Sequence, residues 1–369
     1  MNRRCFLQGT AGALAASKAR ALAAGDLPHT TGKGDVKTPV FHRHDFGVSL
    51  GGRLHEPSGD EDGNLWTSPL DGSLWRYHVP SGRLEILDLK AATRREWKGL
   101  HLWPIAYGSE VYLCSPSLPE LWVLERDSGQ VKRYPFPHAN PQVYGGFALL
   151  RWRQVWLYDT SAPGVLKWDP ATHTGVLFRC PYIPSGTLYM TFADEKRREI
   201  WGSTYTGNDL VRFDTAKDEW TGHWKSPLEK ATPTPTNAVF GNRLYVSDHL
   251  NGRLMPFDCG TGEWGEPIPV PGYREWFGYL SGGWVFRGLI YFCHSTWTGG
   301  DSSLDGKPHH FIGAWTVFDP KTRRFSRLDI PTREGESLMS DYALTVRGEL
   351  CILAVDMTPP YTAVVLRGG

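Results

Sequence analysis

A short apolar–aromatic pair recurs along this chain: Leu65-Trp66, Val111-Tyr112, Val155-Trp156, Ile200-Trp201, Leu244-Tyr245, Ile290-Tyr291 and, more weakly, Leu350-Cys351. Successive pairs lie 46, 44, 45, 44, 46 and 60 residues apart. About ten residues after each of the first five comes a second burst: "LWRYHVPSG", "LWVLERDSG", "VLKWDPATH", "LVRFDTAKD" and "LMPFDCGTG". The sixth unit delays its copy to "WTVFDPKTR". Each burst resembles hydrophobic-x-aromatic-Asp followed by a turn of small residues. Apolar and polar positions alternate with period two, which predicts half-buried strands. A period near 45 residues with four short strands per unit predicts an all-β fold, a β-propeller, and seven units predict seven blades. Leucine-rich repeats are shorter, and helical repeats would show a 3.6-residue period. WD40 signatures are missing, and Kelch-like double glycines, as at Gly145-Gly146 and Gly282-Gly283, do not recur in every unit.

In the first blade, strand A starts near His55 and "DEDG" turns into strand B, "NLWTS". "PLDG" leads to strand C, "SLWRYHV", and "PSG" to strand D, "RLEILDL". The seventh blade runs A near Tyr342, B at Leu350 and C over Thr362–Leu366, and then lacks its own D. The segment "PVFHRHDF", Pro39–Phe46, is predicted to supply it, pairing the first strand with the last and closing the ring. Strand direction alternates within a blade. The D-to-A and B-to-C connections therefore share one rim, and the A-to-B and C-to-D turns share the other. Asp127, Asp169, Asp214, Asp258 and Asp319 fall in the C-to-D turns. One acid per blade at one register predicts turn caps rather than a metal or catalytic set.

Composition adds a class and an address. The chain has 369 residues, 13% of them aromatic, with 41 Gly and 27 Pro, which suits a large core of short strands and turns. The formal charge is +1, so no nucleic-acid partner is announced. No apolar run reaches the ~18 residues of a membrane span. Residues 1–23 resemble a twin-arginine export signal: Arg3-Arg4, Phe6-Leu7, a weakly apolar run, then Ala21-Leu22-Ala23 as a cleavage pattern. Residues 24–369 then form a single propeller domain, expected in the periplasm or outside the cell. Removing the signal takes four basic and no acidic residues and moves the charge from +1 to −3. Cys114, Cys180, Cys259, Cys293 and Cys351 remain, an odd number without zinc-type spacing, and predict buried free thiols.

The irregular rim holds the candidate chemistry. Strand A beginnings place His55, His101, Tyr144, Tyr189, Asn237, Tyr279, Asp341 and Tyr342 there, and B-to-C loops add Tyr205, His249 and His294. The insertion "STWTGGDSSLDGKPHHF" overhangs it with Trp297, His309 and His310. "REWKG" at Arg95 and "REWFG" at Arg274 each precede an anchor by 16 residues, in blades two and six. Guanidinium binds carboxylate bidentately, so Arg95 and Arg274 can clamp an acidic ligand from two sides. The competing reading makes Trp97 and Trp276 wedges between blades, with the charges solvated. His42 and His44 fall on the closing strand and read as surface residues. His78 and His173 belong to the turn-capping rim, and His138 sits among prolines.

"GNLWTSPLDGSLWRYHVPSG" resembles the repeats of virginiamycin B lyase-like propellers. "EIWGSTYTGNDLVRFDTAKDEW" and "DGKPHHFIGAWTVFDPKTRRF" look like secreted seven-bladed enzymes of polysaccharide breakdown of the rhamnosyl-glucuronate lyase type. No catalytic motif of those families aligns residue by residue, so no site carries over. The resemblance implies an exported, carbohydrate-active propeller, a polysaccharide lyase that eliminates at a uronic-acid residue. Such chemistry needs three groups. Arg95 and Arg274 neutralise the carboxylate beside the acidic C–H. His101 or His249 takes the proton, and Tyr144 or a second histidine, His55 or His294, protonates the leaving oxygen. Trp97, Trp276 and Trp297 stack on sugars, and Asn237 and Tyr342 supply further contacts. A histidine-bound divalent cation would replace one arginine, although no spacing marks it. The expected partner is an acidic glycan, and the expected state is a monomer. The alternative is a non-catalytic propeller that binds a glycan or a protein on the same rim. A hydrolase would need a carboxyl pair, for which the rim offers only Asp341, Glu96 and Glu275. A quinone-binding propeller rests on "FDCGTGEW" alone.

Overall fold

The computed structural model describes residues 39–49, 57–69, 71–100, 102–115, 117–137, 143–144, 155–159, 163–186, 188–194, 196–204, 209–227, 233–248, 252–270, 278–296, 313–328, 333, 338–356 and 362–369. Their strands form seven four-stranded antiparallel sheets. Blade 1 is Ser58–Gly59, Asn64–Thr67, Ser73–His78 and Arg83–Asp88, in that order outward. Five more blades repeat the order. The seventh joins Leu338–Val346, Glu349–Asp356 and Thr362–Gly368 to Phe41–Ser49, the strand predicted to close the ring. Its register runs from Phe41 opposite Gly368 to Ser49 opposite Thr362, with a shift after Asp45.

The core lies between the blades. Seven apolar clusters occur among the described residues, and each spans one pair of neighbouring blades. The cluster that joins blade 7 to blade 1 packs Leu353 and Val365 against Leu65, Trp75 and Tyr77, so the ring is closed. The closing strand strengthens that seam. His44 and Phe46 rest on Tyr77, and Phe46 meets Trp75 edge-on. His44 is thus half-buried against an aromatic cluster rather than a surface residue.

This packing corrects the period-two expectation. Alternation is confined to parts of third and fourth strands, as in Val211–Asp214 and Thr174–Arg179. Second strands such as Asn64–Thr67 and Glu199–Thr204 are buried on both faces, because a blade covers each side. Polar residues enter these seams through one repeated device. Trp66, Trp156 and Trp201 on second strands lie opposite Arg76, Lys167 and Arg212 on third strands. Each cation sits 5.4–5.5 Å from the ring centroid. Each also meets a carboxylate, from Glu85, Asp218 and Glu199 respectively. A cation held over an aromatic face is worth about 0.5–2 kcal/mol, according to its exposure.

The turn-capping acids behave as predicted in four blades. Asp169, Asp214, Asp258 and Asp319 each accept the backbone N–H two residues on, at 2.8–2.9 Å. In blade 2 the register position belongs to Glu125, bonded to Ser128 Oγ, and not to Asp127. His78 fills it in blade 1, with Nδ1 2.7 Å from Ser81 Oγ. Cys114, Cys180, Cys259 and Cys351 are buried and unbridged. Burial pushes the Cys259 thiol up to about 11 and the Cys351 thiol to about 12, so both stay protonated.

Candidate functional site

First strands of adjacent blades lie against one another and so ring the central mouth. In blades 4 to 7 the pairing of first and second strands breaks register: between Met190 and Phe192, Thr234 and Asn237, Gly282 and Trp284, and Met339 and Tyr342. An extra residue on one strand bends it and re-aims its side chains, and such bulges favour binding sites. In blade 2 the equivalent pair, Trp103–Tyr107 with Glu110–Cys114, runs without a shift. The mouth is therefore irregular along one arc. Asn237 and Tyr342 are the first paired residues beyond two of these breaks, a position the sequence pattern could not reveal.

The sequence-predicted site residues are placed unevenly. Tyr144, Asn237, His294 and Tyr342 lie in strands, with their side chains outside the described set. His55, His101, His249, Arg274, Trp276 and Trp297 lie outside the described residues, as do Tyr205, His309 and His310. Arg95 and Trp97 are fully described. "DLKAATRREW" folds locally into a single helical turn, Leu89–Thr93, capped by Asp88, whose carboxylate accepts the Ala91 N–H at 3.1 Å. Arg94 leaves it in the left-handed conformation (φ 56°) and turns the chain inward. Trp97 then plunges between blades 1 and 2, is 0% exposed, and donates its indole N–H to Thr93 Oγ1 at 2.6 Å. Gly72 has no Cβ because one would lie 2.9 Å from Trp97. The wedge reading therefore describes this residue, whose ring has no face to offer a sugar.

Arg95 lies on the expected rim but away from the mouth. Its guanidinium meets Glu120, the first residue of a third strand, at 3.0 Å, and stands 5.6–5.7 Å from the Trp97 and Trp122 rings. Arg133 of the fourth strand approaches the same carboxylate at 4.0 Å. Chain register gives the rim correctly, and the Glu120 charge sets the radius. To hold a ligand at the mouth, Arg95 would have to leave Glu120.

Two polar groups on this rim were not evident from the repeat pattern. Asp248 ends the second strand of blade 5 with 0% side-chain exposure, 3.4 Å from Arg253, and directly precedes His249. In blade 4, Asp209 opens the third strand. His223 Nε2 lies 2.7 Å from its carboxylate, and Lys225 Nζ lies 3.1 Å away. Burial opposes ionisation of Asp209, but the hydrogen bonds and charges of His223 and Lys225 outweigh it and hold the carboxyl below its ordinary value. Tyr182, from the connection between blades 3 and 4, stacks on the His223 ring at 5.1 Å and 14°. The hairpin register was the available signal: Lys225 lies directly opposite Asp209, and His223 is two residues back on the same face.

Among the described residues, no three His, Cys, Asp or Glu side chains are gathered to hold a metal ion. No described helix is long and apolar enough to cross a membrane.

No family model matches this sequence. No curated protein matches it either. Solved structures do match in shape. A streptogramin B lyase superposes with a TM-score of 0.64 at 12% identity, over 89% of this chain and 98% of that one. A catalytically inactive virginiamycin B lyase variant from Staphylococcus aureus, solved with quinupristin, gives 0.62 and 12% over 89% and 99%. The extracellular domain of an assigned one-component system from B. thetaiotaomicron gives 0.57 and 12%, over 89% of this chain and 40% of that one. At these identities the likeness shows the seven-bladed fold and no shared chemistry.

Proposed function

We propose that this chain is an exported, carbohydrate-active propeller, a lyase that eliminates at a uronic-acid residue of an acidic glycan. The observation that carries the reading is the contrast between the rims. One rim commits its acids to turn caps, while the other has four bulged first strands at its mouth and ionisable groups around it. Two of the shape neighbours are lyases of an antibiotic, and a third is an extracellular domain. These neighbours are compatible with elimination chemistry and with an exported protein. The twin-arginine leader and four buried, unbridged thiols fit a protein that folds before export.

In this mechanism His101 or His249 removes the C5 proton, and Tyr144, His55 or His294 protonates the leaving oxygen. Each such transfer contributes about 10²–10⁴-fold. Arg274 neutralises the carboxylate, joined by Arg95 if it exchanges Glu120 for substrate. Asn237 and Tyr342 contact the sugar from the bulged strands, and Trp276 and Trp297 stack on it. A divalent cation, where present, would take over the carboxylate. The test is absorbance near 235 nm when the purified chain meets uronate polysaccharides. A rise that is lost in His101→Ala or His249→Ala, with the fold intact, supports the lyase and places its base. Saturable glycan binding with no rise replaces it with the non-catalytic reading.

A further inference from the structure

The seam between blades 3 and 4 reaches the same rim well outside the mouth. Asp209 and Lys225 form a cross-strand pair there, His223 lies diagonal to them, and Tyr182 stacks over the imidazole. Their exposures are graded. The Asp209 side chain is 13% exposed and that of His223 27%, whereas the Lys225 side chain is 71% exposed and Tyr182 37%. A molecule arriving from solvent therefore meets an aromatic ring, an ammonium group and an imidazole edge before it meets the carboxylate. Asp209 is further bonded to Thr204 Oγ1, at 3.3 Å through its side chain and at 3.3 Å through its backbone N–H, which fixes it below the others.

The donor inventory says what such a surface accepts. Asp209 is ionised and can only accept, so the proton on His223 Nε2 points at it. The other ring nitrogen, Nδ1, is turned away from that bond and can meet a hydroxyl. Lys225 has three protons, and its contact with Asp209 at 3.1 Å uses one. The remaining two suit an anion. Tyr182 offers a flat, partly apolar face with a polar tip. A planar ring, an imidazole nitrogen and a cation side by side match one residue of an acidic sugar.

We infer that Tyr182, His223 and Lys225 form an outlying subsite for a uronate residue, with Asp209 as the positioning residue that orients the imidazole and the ammonium. This rests on reading the rim as an acidic-glycan surface, and it adds that the bound chain runs outward from the mouth across the seam of blades 3 and 4. The lyase chemistry does not require this subsite, so the two ideas fail separately.

The probe is a hexagalacturonate, with its methyl ester as the uncharged control, titrated calorimetrically into the full mature chain. Lys225→Met is expected to weaken binding of the acid about tenfold, the equivalent of about 1.4 kcal/mol, and to leave the ester unchanged. Tyr182→Ala is expected to weaken both about tenfold. Lys225→Arg, which keeps the charge, is expected to retain most of the affinity. In the wild-type protein the His223 ring protons, followed by NMR, should shift saturably with the acid. That readout is independent of turnover and of any variant's folding. Acid binding within twofold of wild type in both Lys225→Met and Tyr182→Ala, or an unmoved His223 signal at saturation, overturns the subsite and leaves the lyase standing. Absence of 235 nm product with these binding effects intact overturns the lyase and leaves the subsite. A wild-type chain that neither binds nor cleaves overturns both.

Discussion

Asp60 is the sharpest test of how the turn-capping rim holds neighbouring blades together. It sits in the first turn of blade 1 with its side chain only 3% exposed. Its carboxylate accepts the Asn64 N–H at 2.8 Å, Asn64 Nδ2 at 2.9 Å and Trp66 Nε1 at 2.8 Å, and meets Arg126 of blade 2 at 3.1 Å. Asp60→Asn keeps the shape but turns an N–H pair toward groups that are themselves donors. Breaking a buried ion pair from one side costs about 3–5 kcal/mol. Arg126 keeps Asp62 at 2.8 Å and the Gly108 carbonyl at 2.7 Å, so it is not orphaned. The low end, about 3 kcal/mol, is therefore expected. For a chain of this size that is roughly 4 °C in Tm. Asp62→Asn is the control. Asp62 is 68% exposed, and its loss should cost no more than about 1 kcal/mol. The assay is urea unfolding followed by tryptophan fluorescence, with Arg126→Met and the double variant completing a cycle. The effect also carries a pH signature. Burial resists ionisation of Asp60, but the bonds from Trp66 and Asn64 and the Arg126 charge outweigh it, so the folded carboxyl lies below its ordinary 3.8. The stabilisation is then fully present above that value and fades as pH falls through the lower folded one. Wild type and Asp60→Asn should converge in strong acid. If Asp60→Asn costs no more than Asp62→Asn at neutral pH, the interblade account of this charge is refuted.

Two further outcomes follow from local packing and from the leader. A Cβ at Gly222 would collide with the Trp224 ring, which stacks on Trp201 at 5.4 Å with the Arg212 guanidinium 5.4 Å from each ring. Gly222→Val should displace that ring, cost about 1–3 kcal/mol by overpacking and shift the tryptophan emission to the red. An unchanged spectrum and midpoint would contradict it. Arg3→Lys with Arg4→Lys should retain the chain inside the producing cell, as fractionation and immunoblotting would read. Undiminished export would remove the twin-arginine reading.

The repeat was legible because one packing demand recurs. Blades 1 to 6 each place an aromatic residue on the second strand and a tight turn after the third, and both leave marks near 45-residue spacing. The closing strand was legible because blade 7 visibly lacked a partner. Register, however, tells which rim a residue occupies and not its distance from the axis. Arg95 shows this, since a partner 25 residues away, Glu120, draws it outward. Bulges were invisible for a related reason. The two residues between Thr234 and Asn237 count as extra only against the adjacent Ser247 and Val246 on the other strand. The Asp209, His223 and Lys225 group escaped because its members sit on third and fourth strands, where the repeat suggests scaffolding, and only hairpin pairing brings them together.

The clasp between Phe41–Ser49 and Thr362–Gly368 imposes an order of events on synthesis. A ribosome delivers Phe41–Ser49 early and Thr362–Gly368 only after six blades have been made, so the closing strand waits without its partner through most of that synthesis. Threading the chain through a pore as it is made would part the two halves in space until blade 7 arrived. A transport route that waits for the finished ring has no such interval to manage.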